Sequence, residues 1–166
     1  MGVLTRLATL ILLALGGVSP VLADEIVIED FKVQPETRWR FFADTVMGGV
    51  SSGKVRFVVE DGQTHAHMTG RVSTENNGGF IQMQLDLPAP PSEGTVGVRI
   101  IVRGNDQRYF VHLRTSGTLL PWQYYQAGFD VTRDWTEIRL PFDAFAASGA
   151  LLRDVPRAGS LTSIGI

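Results

Sequence analysis

Apolar and polar residues alternate with a period of two along most of this chain after residue 23, and turn signals interrupt the alternation every several residues. Side chains on a strand point alternately to opposite faces, so such a pattern makes sheets with one buried face. No stretch beyond the leader keeps helical spacing. From Lys54 to Glu60, Val55, Phe57 and Val59 share a face; Asp61-Gly62 makes a tight hairpin into Thr64 to Val72, where Ala66 and Met68 alternate with His65 and His67. Ile81, Met83, Leu85 and Leu87 line one face of the next strand, which Pro88, Pro90 and Pro91 end. Val96, Val98, Ile100 and Val102 follow, then a Gly104-Asn105-Asp106 turn, then Tyr109, Val111 and Leu113. The fold class expected is all-β, an antiparallel jelly-roll β-sandwich in one domain.

The first residues carry Arg6, an apolar run from Leu7 to Leu15, then Gly16, Gly17 and Pro20, with Val21 and Ala23 as small residues before Asp24. This run is too short to span a bilayer comfortably and reads as an export signal over residues 1–23, cleaved after Ala23. The mature protein is expected to be periplasmic or secreted. Its formal charge of −2 becomes −3 when Arg6 leaves, because no other ionisable side chain precedes Asp24, and acidic and basic residues are interspersed. That charge gives no general attraction to nucleic acid. With no cysteine, the chain has neither disulfide staples nor a thiolate nucleophile, so an apolar core must hold it together. Most of Trp39, Phe41, Phe42, Trp135, Phe142 and Phe145 are expected to lie in that core rather than to form a ligand cage.

Several groups could carry chemistry. Gly49-Val50-Ser51-Ser52-Gly53 matches the G-x-S-x-G of serine hydrolases, but that motif needs a strand-to-helix turn, and here a strand follows. A loop stabilised by Asp44 and opened by glycines is the expectation instead. His65 and His67 share a strand face without a third ligand, and Asp61 and Asp106 lie in turns without a calcium loop, so no metal or cofactor is expected. Strand parity turns Arg99 and Arg103 outward from one strand and Phe110, His112 and Arg114 from the next. Gln82, Gln84, Tyr124 and Gln126 are expected to join them in one polar and aromatic face able to bind a protein or a glycan.

The run DTVMGGVSSG (Asp44 to Gly53), then STENNGGF (Ser73 to Phe80), RGNDQRYFVHLRT (Arg103 to Thr115), WQYYQAGF (Trp122 to Phe129), Trp135 to Phe142 and the final SIGI occur in that order. Together they resemble the complex I intermediate-associated protein 30 domain family. The resemblance implies a galactose-binding-like β-sandwich and a role in assembly, and it adds the loops around Asp44 and Asn77 as a second recognition site. The expected protein is a non-enzymatic binding or assembly module without stable membrane insertion after leader cleavage. A carbohydrate-binding module of the cell envelope is the first alternative, and a hydrolase using Ser51 or a carboxylate pair the second. Leu161 to Ile166 reads as an apolar strand without a polar tail, and a domain cut short at its C-terminus is expected, with a sheet edge left open.

Overall fold

The computed structural model describes residues 25–166; the export signal expected over residues 1–23 and the mature start expected at Asp24 lie outside the described residues. Among the described residues ten strands form two layers, and every paired strand is antiparallel to its neighbour. The large sheet has six strands in the order β1 (Trp39–Ala43), β4 (Ile81–Asp86), β10 (Leu161–Gly165), β6 (Arg108–Thr115), β7 (Tyr124–Asp130) and β9 (Ala146–Ser148). Over it lie two separate ribbons, β2 (Ser52–Glu60) with β3 (Gln63–Arg71), and β5 (Gly97–Val102) with β8 (Thr136–Pro141). Among the described residues no helix is long and apolar enough to cross a membrane.

Parity decides which residues meet between the layers. Register pairs Trp39 with Leu85, Leu85 with Ile164 and Ile164 with Leu113, so these side chains point to one face. Val111, Leu113, Tyr125, Ala127, Phe129 and Phe145 are buried there against Val98, Ile100 and Ile138 of the β5–β8 ribbon. Trp39, Met83 and Leu85 meet Val55, Phe57, Ala66 and Met68 of the β2–β3 ribbon. The Asp61-Gly62 hairpin forms as its residue types require, with φ of 49° and 76°.

Two expectations need correction. Gly104 to Asp106 is not a hairpin turn: β5 pairs with β8, β6 pairs with β7 and β10, and the segment crosses between layers, with the Gly104 N–H donating to the Thr132 carbonyl. Alternation reports the face of a side chain but carries no information about the neighbouring strand. Trp135 is not core either, being 45% exposed. It lies beneath the Arg103 guanidinium, 4.7 Å from its ring centroid, and meets His65 edge-on. Trp39, Phe142 and Phe145 are buried as expected.

Candidate functional site

The glycine-rich loop after β1 is built around a carboxylate that water does not reach. Asp44 and Ser51 are both fully buried. Asp44 Oδ1 accepts the Ser51 N–H at 2.9 Å, while Oδ2 accepts the Ser51 hydroxyl and the N–H groups of Gly79 at 2.6 Å and Phe80 at 3.3 Å. Ser51 Oγ in turn accepts the Ser73 N–H at 2.9 Å, and Asn76 Nδ2 donates to the Gly48 carbonyl. Burial pushes the Asp44 carboxyl up, but the hydrogen bonds from Ser51, Gly79 and Phe80 outweigh it and hold the group below the usual carboxylate range. Gly49 and Gly78 pack directly on this carboxylate, where a Cβ at position 78 would lie 2.5 Å from Oδ2, and Gly48 adopts φ of 91°.

The consequence is structural. Both Asp44 oxygens are consumed by the protein, so Asp44 is a support inside the loop and offers nothing to a ligand. Ser51 has no room for a substrate and no histidine among its hydrogen-bond partners, which removes it as a hydrolase nucleophile. Asn77 is exposed at the rim, with φ of 58°.

On the outward face of the six-stranded sheet, His112 of β6 lies between Gln82 of β4 and Gln126 of β7. Its Nε2 is 3.1 Å from Gln126 Oε1, and its Nδ1 is 3.4 Å from Gln82 Nε2. An imidazole with its proton on Nε2 donates to Gln126 and accepts from Gln82, so the three side chains form a neutral chain of donors and acceptors. Burial pushes the His112 pKa down, and the Gln126 hydrogen bond only partly offsets this. Tyr124 stacks on the imidazole with centroids 4.4 Å apart and planes inclined by 17°. Gly165 of β10 leaves the space that the Gln82 amide occupies.

The surrounding face extends this strip. Arg40 and Phe42 of β1 stand opposite Gln84 and Gln82 in register. Arg40 forms a forked pair with Asp86, Gln84 Nε2 donates to the same carboxylate, and Arg40, Phe41, Phe42 and Gln84 line a surface depression. Phe110, 40% exposed, lies beside the Arg108 guanidinium across from Gly128. Arg40, Asp86 and Arg108 were not among the site residues expected from sequence, and Phe42, expected in the core, is instead half-buried on this outward face because it shares strand parity with Arg40. The alternation through Trp39 to Ala43, and glycines at 128 and 165 inside strands, were the signals available.

The structure therefore unites Gln82, Gln84, Phe110, His112, Tyr124 and Gln126 on one face, and it separates Arg99 and Arg103 from them. Those two belong to the β5–β8 side of the sandwich, where Arg99 pairs with Glu25 and Glu137, and Arg103 pairs with Glu60. Arg114 shares the sheet face by parity, but its guanidinium donates to the carbonyls of Thr118, Leu120 and Pro121 and so fixes the β6–β7 connection. Among the described residues no three His, Asp or Glu side chains come together as a metal site would require.

With this geometry in view, the chain belongs to the Complex I intermediate-associated protein 30 family, whose model matches residues 29–166. Among curated proteins, none matches this sequence. Solved structures with a similar fold include a Family 11 Carbohydrate-Binding Module from Clostridium thermocellum in complex with a beta-1,3-1,4-mixed-linked tetrasaccharide. It is 11% identical, with 82% of this chain and 81% of that one covered and a TM-score of 0.65. The Family 11 module of the cellulosomal cellulase Lic26A-Cel5E from the same organism is 12% identical, covering 86% and 83%, with a TM-score of 0.68. At such identities the likeness establishes the β-sandwich fold, as the sequence led one to expect.

Proposed function

We propose that this protein is an exported, non-catalytic binding module that assists assembly by holding a partner polypeptide on the outward face of its six-stranded sheet. The Gln82–His112–Gln126 chain, stiffened by the Tyr124 ring, is the observation that carries this reading. These groups are locked before any partner arrives, so little side-chain freedom is lost on binding. The family's association with an assembly intermediate supports the same reading. Affinity capture from the native envelope tests it: wild-type protein retains a specific protein partner, and a Gln82→Ala, Tyr124→Ala variant that melts normally does not. Equal capture by both proteins would remove the sheet face from the reading.

A second reading is a carbohydrate-binding module. Side-chain amides beside exposed rings such as Phe110 suit sugar hydroxyls and the apolar faces of pyranose rings. The fold shared with a module solved in complex with a tetrasaccharide adds support. A glycan array separates the two readings, since a defined oligosaccharide bound by wild type and lost in the same variant selects the second.

A further inference from the structure

At the end opposite the Asp44 corner, the six-stranded sheet stops at Thr115 beside Leu161 and at Tyr124 beside Ser148. The β6–β7 connection and the segment between β9 and β10 meet there. Both turn large apolar side chains to water: Leu119 is 82% exposed, Trp122 63% and Leu151 102%, and Leu120 and Val155 are exposed as well. Single exposed apolar residues are ordinary on any surface, whereas several on two adjoining loops, one of them a Trp, mark a contact site.

These side chains stand on a backbone whose polar groups are already satisfied. The buried Gln123 amide accepts the N–H groups of Leu119 at 2.9 Å and Leu120 at 3.0 Å and donates to the Ala150 carbonyl at 3.1 Å, so one side chain ties the two loops together. Arg114 donates to the carbonyls of Thr118, Leu120 and Pro121, and the Thr118 N–H donates to the Thr115 carbonyl. Pro121 has no N–H to place. A loop whose donors and acceptors are taken up by its own protein loses little when water leaves. That is the condition a lipid interface imposes, and a loop meant to stay in water or to face a polar partner has no need of it.

Between the loops, Arg153 and Arg157 line a depression together with Ser116, Leu151 and Ser160. Among the described residues neither arginine belongs to an ion pair. A guanidinium presents a fork of donors that matches a phosphate. We propose that this end of the sandwich docks on a phospholipid bilayer, with Leu119, Trp122 and Leu151 entering the boundary between headgroups and acyl chains and Arg153 and Arg157 contacting lipid phosphates. The exposed Asp154 lies between the two arginines in the chain, so charge attraction is short in range and the apolar side chains carry most of the affinity. The strands then run away from the bilayer, and the Gln82–His112–Gln126 face stays open to the side for a partner. Docking uses none of the residues of that face, so either reading can fail without the other.

Sedimentation of the native protein with vesicles of phosphatidylethanolamine and phosphatidylglycerol tests the proposal, combined with fluorescence quenching by lipids brominated along their acyl chains. Wild type is expected to bind the vesicles and to be quenched. Trp122→Phe is expected to bind while losing most of the quenching, because Trp39 is buried and Trp135 follows the far end of β7. Leu119→Ser with Leu151→Ser is expected to weaken binding by about tenfold or more at unchanged Tm, since neither side chain packs on the core. Arg153→Gln with Arg157→Gln is expected to weaken it by a smaller factor. Absence of vesicle binding would overturn the proposal, as would equal binding by the serine pair, or binding in which Trp122 escapes the quencher. A dimer in sedimentation equilibrium that the same serine pair dissociates would assign these side chains to a second copy and equally defeat it.

Discussion

The hydroxyl of Ser51 is given to the carboxylate of Asp44 in a place sealed from water, and this one contact joins the two glycine-rich loops into a single rigid corner. Asp44 reaches the backbone of Gly79 and Phe80, Ser51 reaches that of Ser73, and the sheet end acquires a fixed shape without a disulfide.

Asp44→Asn is therefore expected to destabilise the fold, because the substituted amide presents a donor to N–H groups that need an acceptor. A fall in Tm of at least about 5 °C is expected, with a smaller fall for Ser51→Ala. Calorimetry on both variants checks the order. A lost enzymatic activity in Ser51→Ala at unchanged Tm would contradict the structural role.

The same carboxylate sets an acid limit. Its folded pKa lies below the unfolded value, so its stabilisation is fully present above the ordinary aspartate range near 3.9 and is lost as pH falls through the lower folded value. Acid titration followed by circular dichroism is expected to show a steeper loss below about pH 4 in wild type than in Asp44→Asn.

Gly49→Ala and Gly78→Ala drive a methyl group into the Asp44 side chain, whereas Gly48→Ala meets open space and suffers only from its positive φ. The first two are expected to lower Tm more than the third, whose cost is about 1 kcal/mol. Equal melting temperatures for the three would show that the loop yields around Asp44.

His112 predicts a second pH dependence. Burial holds its folded pKa below the free value, so the neutral ring is favoured by folding; that stabilisation is complete above about pH 6.5 and is lost as pH falls through the folded pKa. Partner or glycan capture is expected to weaken over the same window as protonated Nδ1 ceases to accept from Gln82. His112→Gln is expected to flatten the profile, as titrated capture assays would reveal.

The arginines on opposite sides of the sandwich separate binding from stability. Arg103→Ala is expected to leave capture on the six-stranded sheet unchanged, and Arg114→Ala to lower Tm by releasing three loop carbonyls. Parallel melts and capture assays decide it, and a capture defect in Arg103→Ala at normal Tm would place recognition on the β5–β8 side.

The alternation through Tyr109 to Arg114 determined by itself that Val111 and Leu113 point inward and that His112 and Arg114 point outward, because side-chain direction has a period of two in any strand. Asp61-Gly62 likewise determined its own hairpin, since the conformation needed there is local. The tertiary structure alone decided that β6 lies beside β7 and β10 while β5 lies beside β8, which separated Arg99 and Arg103 from His112. It alone brought Asp44 to Gly79 and Gln82 to His112. These partners lie about thirty residues or more apart along the chain, and their pairing depends on how whole strands pack, an energy summed over the core that no short stretch of sequence displays.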